Sequence, residues 1–126
     1  MRMLRVVPEA VWHGPLMLVN ARHPMRESAV EKMVALEAGG MSVPLNARAA
    51  ALLAELLTSI GAGDAIVPVS GFRSRAEQEQ IYRESLRDNG PAFTRRFVAL
   101  PGCSEHETGL AIDLGERRAS IDFRKR

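Results

Sequence analysis

An imidazole and a carboxylate stand seven residues apart in the segment Ser104-Glu105-His106-Glu107-Thr108-Gly109-Leu110-Ala111-Ile112-Asp113. A neutral imidazole nitrogen and a carboxylate oxygen are both ligands that Zn²⁺ accepts. Its catalytic sites use three protein ligands and keep a fourth position for water. On one regular strand, an odd separation would send His106 and Asp113 to opposite faces. Both can reach one ion only if the chain turns or bulges between them. Gly109 is the place for that irregularity, because glycine takes backbone angles closed to other residues. Beyond it, Leu110, Ile112 and Leu114 read as one face of a short buried strand, and Ala111 and Asp113 as the other. Ala111 is then small because it shares its face with the metal. Taken singly, His106 reads first as a loop histidine and Asp113 as a strand-end cap. The full string S-x-H-x-x-G-x-A-x-D points to the metal.

The elements that must position these groups form an α+β pattern. The apolar run from Val11 to Asn20 reads as a strand leading into a turn at His23-Pro24. Residues Ser28 to Ala38 alternate weakly and end at Gly39-Gly40, which leaves helix and strand both open. Asn46 is an N-cap for a helix running to about Ile60. Its apolar positions Ala50, Leu53, Leu56, Leu57 and Ile60 recur at helical spacing, and Gly61 or Gly63 ends it. Ala65 to Val69 reads as a short buried strand, with Pro68 at an edge or an irregular point. Ser74-Arg75-Ala76-Glu77 is a capping box that opens the next helix, with Ile81, Tyr82, Ser85 and Leu86 inward and Asn89-Gly90 at its end. A connector from Pro91 to Leu100, with room for a short helix around Phe93 to Phe97, leads to Pro101-Gly102. The run from Leu110 to Leu114 is expected at the centre of a small antiparallel sheet flanked by helices.

Bulk properties narrow the function classes. A chain of 126 residues is of single-domain size. Seventeen basic against fifteen acidic residues leave a net charge of +2, too little to argue for nucleic acid or a membrane surface. The single cysteine, Cys103, excludes an internal disulfide and reads as a packing residue. No apolar run reaches the length of a signal peptide or a membrane span, so a cytoplasmic protein is expected. The basic residues Arg117-Arg118 and Arg124-Lys125-Arg126 read as a solvated terminus.

Two motifs together resemble one family. Ser70-Gly71-Phe72-Arg73-Ser74 followed by Gln78, and Pro101-Gly102-Cys103-Ser104-Glu105-His106 continuing to Asp113, are similar to the zinc D-alanyl-D-alanine carboxypeptidases and dipeptidases of the VanY and VanXY type. The resemblance runs from about Leu16 to Phe123. Leu18-Val19-Asn20 with His23-Pro24 is closer to the VanXY members. It implies a hedgehog/D,D-peptidase-like α+β fold over 1–126 and cleavage of the D-Ala-D-Ala ends of peptidoglycan precursors or of the free dipeptide. His106 and Asp113 become zinc ligands. Arg73 would polarise the scissile carbonyl or stabilise the oxyanion, where it would otherwise close an ion pair with Glu77. Gln78 would meet the substrate backbone or serve packing. Ser104 would meet the substrate carboxylate or hold the metal loop. Glu105 and Glu107 are expected to support the ligands from behind or to be solvated.

Family members continue past the equivalent of Ile121-Asp122-Phe123 into a segment that carries a Glu-x-x-His-like motif, supplying the general base and the third ligand. No such motif follows here, and the histidines are His13, His23 and His106. The expectation is therefore a domain incomplete at its C-terminus, with a partial metal site, little turnover by this chain alone, and weak zinc binding. A catalytically inactive module that keeps the substrate cleft, or an interaction domain of the hedgehog kind, is the alternative. An open sheet edge, with Leu110 and Ile112 exposed, would favour a homo-oligomer.

Overall fold

The computed structural model describes residues 12, 14, 17–26 and 32–117. Two compact units divide the chain. One takes the described residues of Met1–Val30 with Ser74–Thr108, and the other those of Glu31–Arg73 with Gly109–Arg126.

The second unit begins with a hairpin of β1 (Met33–Ala38) and β2 (Met41–Asn46), paired from Met33↔Asn46 to Ala38↔Met41. Gly39 and Gly40 both have positive φ, the backbone that a two-residue hairpin turn requires. The open question over 28–38 is thus settled as strand from Met33 onward; 27–31 lie outside the described residues. Period-two alternation sends Leu36, Val43 and Leu45 inward to form a core with Ala50, against which Val34, Ala49, Leu53 and Ile112 pack.

Helix α1 (Ala47–Ser59) starts where expected. The Asn46 side chain accepts from the amides of Arg48 and Ala49 at 3.0 and 3.1 Å. It ends at Ile60, and Gly61 follows with φ 65°. Its inward face is narrower than the apolar spacing implied, since Leu56 and Ile60 are exposed. Strand β3 (Ile66–Ser70) pairs antiparallel with β4 (Asp113–Glu116), and the register breaks between Pro68 and Ser70. Proline has no N–H to give a ladder, so the break falls where the sequence marked it.

The α+β class holds, with the strands in two two-stranded antiparallel sheets, β1-β2 and β3-β4. Two expectations change. The last strand begins at Asp113 rather than Leu110, and its one neighbour among the described residues is β3, so it is not central. Leu110 and Ile112 are half-buried rather than exposed, because the irregular run after Gly109 lays Ile112 against the hairpin core.

In the first unit, helix α2 (Arg75–Phe97) opens on a complete capping box. The Ser74 hydroxyl accepts from Glu77 N, and the Glu77 carboxylate accepts from Ser74 N. Gly90 leaves helical geometry at φ 82° and ψ 170°, and Pro91 restarts the helix as the short segment foreseen near Phe93. A buried bond of 2.6 Å between the Ser85 and Thr94 hydroxyls spans this break. Ser85 faces inward as expected, whereas Leu86 is exposed. Residues 17–19 form no strand; an isolated bridge joins Asn20 to His23, and Val19 packs with Met25. Val11, His13, Pro15 and Leu16 of the expected N-terminal strand and the basic run after Arg117 lie outside the described residues. Among the described residues no helix is long and apolar enough to cross a membrane.

Candidate functional site

In the second unit, the end of the β3-β4 sheet gathers residues from two distant parts of the sequence. Ser70, the last residue of β3, is the register partner of Asp113, the first residue of β4. The Arg73 guanidinium donates to the Ser70 hydroxyl at 3.0 Å and is half-buried, while Asp113 is exposed. Arg73 and Asp113 are therefore fixed on one structural feature. The turn that carries Arg73 away from β3 depends on Gly71. A Cβ there would overlap the Pro44 carbonyl oxygen, which accepts the Phe72 amide at 2.5 Å. A ladder-like contact to β2 thus sets where Arg73 leaves the strand.

In the first unit, His106 lies in a 3₁₀ turn, Glu105–Thr108, and is half-buried. Ser104 caps this turn. Its hydroxyl accepts the His106 amide at 3.3 Å, and its carbonyl accepts the Glu107 amide at 3.1 Å. Ser104 and His106 are thus brought together, with Ser104 buried in the loop-holding use. Gln78 is also buried and donates to the Ala99 carbonyl at 2.8 Å. That bond ties the first turns of α2 to the approach of the 3₁₀ turn that carries His106.

Glu107 is the residue that the sequence reading placed too loosely. Its side chain is 3% exposed, and its carboxylate accepts from Gly102 N at 3.0 and 2.8 Å and from Ser104 N at 3.1 Å. The signal was present. Ser104-x-x-Glu107 is the same capping-box spacing as Ser74-x-x-Glu77, and the bond from Ser104 N to the Glu107 carboxylate is its reciprocal half. Glu105, by contrast, is exposed.

The chain enters the second unit at Gly109, whose φ of 74° supplies the irregularity expected between His106 and Asp113. Its carbonyl accepts the Asn46 amide at 2.8 Å, and a Cβ on it would overlap the Met33 thioether end. His106 and Asp113 fall in different units. Among the described residues no group of three or more His, Cys, Asp or Glu side chains is placed to hold a metal. As donors the two fit zinc: a half-buried imidazole on a braced turn and an exposed carboxylate at a strand start are nitrogen and oxygen ligands that it accepts.

A family model described as VanY, D-alanyl-D-alanine carboxypeptidase, matches residues 42–125, which include Arg73, Gln78, Ser104, His106 and Asp113. The chain belongs to this family. The bifunctional D-Ala-D-Ala dipeptidase and D-Ala-D-Ala carboxypeptidase VanXYC of Enterococcus gallinarum is 37% identical over 108 residues, covering 85% of this chain and 57% of that protein. The crystal structure of the vancomycin-resistance D,D-dipeptidase VanXYg, in complex with a D-Ala-D-Ala phosphinate analog, superposes with a TM-score of 0.80. It is 46% identical over 91% of this chain and 46% of its own. A vancomycin-resistance D,D-pentapeptidase VanY variant, solved with Zn(II), shares the fold at a TM-score of 0.66 and 24% identity, covering 88% of this chain and 66% of its own. The chain thus spans roughly half the length of the first two relatives.

Proposed function

We propose that this chain forms part of a zinc D,D-peptidase that cleaves the D-Ala-D-Ala end of a peptidoglycan precursor or of the free dipeptide. The observation that carries the reading is the pairing of Ser70 with Asp113 at the end of the β3-β4 sheet, with Arg73 bonded to Ser70, because one end of each motif of the resemblance lies there. The names of the VanXYC and VanXYg relatives support the substrate class. The Zn(II) complex of the VanY relative supports the metal.

His106 and Asp113 would hold the zinc. Bound zinc supplies Lewis-acid polarisation of the amide carbonyl and activation of water. Arg73 contributes a fixed positive charge and a planar pair of donors, suited to an oxygen that gains charge as the amide is attacked. Its bond to Ser70 keeps that fork aimed before substrate arrives. Ser104 and Gln78 would orient the substrate from the loop and helix that they already brace. A cytoplasmic site of action is part of the same proposal.

Release of D-alanine from D-Ala-D-Ala and from a pentapeptide ending in it, followed by a coupled D-amino-acid oxidase assay, tests this reading. Turnover that needs zinc and is lost in His106→Ala and Arg73→Ala supports it. Dipeptide binding without turnover, in any state of zinc loading and even after a C-terminal segment carrying a Glu-x-x-His motif is added, would support the binding-module alternative and overturn the enzyme.

A further inference from the structure

Glu107 is a charged group withdrawn from water one residue from His106. Burying a carboxylate is costly unless it is paired and hydrogen-bonded, and here the surroundings supply both. The Gly102 and Ser104 amides donate to it, and Arg75 Nε faces it at 3.7 Å. Arg75 is the first residue of α2, where the helix dipole disfavours a cation. Its guanidinium instead donates to the Met25 carbonyl at 2.6 Å, while the Met25 amide donates to the Gly102 carbonyl at 2.6 Å. Glu107, Gly102, Met25 and Arg75 thus form a closed circuit. Gly102 completes the fit, because at φ 88° a Cβ would crowd the Arg75 guanidinium at 3.3 Å.

This is more fastening than a four-residue 3₁₀ turn requires, since Ser104 already caps it. The added bonds hold the segment between Gly102 and Glu107 from both ends, and His106 lies inside it. We propose that Glu107 and Arg75 are positioning residues, a clasp that presets the His106 ring for the metal. The proposal rests on the reading of His106 as a ligand. It reaches past that reading, because neither clasp residue would touch metal or substrate.

Glu107→Gln keeps the size and one acceptor oxygen. With its oxygen at the Oε2 position, its NH₂ faces the Gly102 amide and Arg75 Nε, donor against donor, and the charge that faces Arg75 is gone. Arg75→Met keeps an aliphatic stem and removes the guanidinium. Glu105→Gln, on the exposed side of the same turn, is the control. In each full chain, circular dichroism reports folding, imidazole ¹⁵N and ¹³C resonances of the zinc-free protein report the His106 ring, and competition with a chromophoric chelator reports zinc affinity. The expected result is folded Glu107→Gln and Arg75→Met proteins with displaced or broadened His106 resonances. Their zinc affinity falls about 10–100-fold, the usual effect of losing a group that orients a ligand, and Glu105→Gln matches wild type. A folded Glu107→Gln protein with wild-type His106 resonances would overturn the clasp. Should that variant not fold, the same result in Arg75→Met would overturn it. Zinc uptake indifferent to His106→Ala would instead overturn the ligand assignment, and the zinc-free resonances would still decide whether the clasp sets the ring.

Discussion

Replacing Gly109 by alanine should damage the second unit in a way that can be divided into parts. At φ 74° the residue is in the left-handed region, where an L side chain costs about 1–2 kcal/mol. The new Cβ would also overlap the Met33 methyl and lie 2.5 Å from its sulfur. Moving a packed side chain costs roughly 1–3 kcal/mol, with methionine toward the low end because its thioether is flexible. Stiffening of the unfolded chain returns about 0.4–1 kcal/mol. The net loss should be about 2–3 kcal/mol. Gly61→Ala is the matched comparison, with φ 65° and no atom within 4 Å of the added carbon. It bears the backbone term alone, so it should lose no more than about 1.6 kcal/mol. Urea unfolding of both variants gives the difference directly. Adding Met33→Ala to Gly109→Ala should recover about 1 kcal/mol of coupling in a double-mutant cycle. Equal losses at Gly61 and Gly109, with no coupling to Met33, would refute the steric part of the reasoning.

Asn46→Ala removes the acceptor for two amides of α1 and should cost about 1–2 kcal/mol in urea unfolding, the upper part of the range for a helix cap. The Arg87 guanidinium hydrogen-bonded to Asp88 holds that carboxyl below its ordinary range. The linked stability is present above the unfolded-state value and lost as pH falls through the folded one. In Arg87→Ala the Asp88 midpoint should therefore rise in an NMR titration, with no measurable change in stability because both groups are exposed. Strand β4 has one neighbouring strand among the described residues and an exposed Leu114. Self-association is accordingly expected in light scattering at micromolar concentrations, reduced by Leu114→Lys.

The parts of the fold legible in the sequence were those set by short-range chemistry. Asn46 and the Ser74-Glu77 box fixed two helix starts, and Pro68 marked the ladder break. Gly109 marked the irregular link between His106 and Asp113, because only glycine adopts that φ without strain. What escaped depended on distant partners. The β4 start moved to Asp113 because pairing with Ser70 sets the register, and no periodicity within 110–114 encodes a partner 43 residues earlier. Leu56 and Ile60 repeat at helical spacing, yet spacing does not say how wide a face the hairpin covers. The roles given to Arg73 and Asp113 came from the resemblance of two motifs, whereas their common link to Ser70 came from the fold; pattern alone would have left Arg73 as a surface ion pair. Glu107 was left between a supporting and a solvated role although its capping-box spacing was visible, because spacing alone does not show that the Gly102 amide closes over the carboxylate.

The central claim is that His106 and Asp113 are zinc ligands, and zinc titration against a chromophoric chelator tests it most directly. The wild-type chain should take up zinc at one site, and His106→Ala and Asp113→Ala should each lose it while circular dichroism shows both folded. Stoichiometric zinc uptake of unchanged affinity in folded His106→Ala would contradict the account.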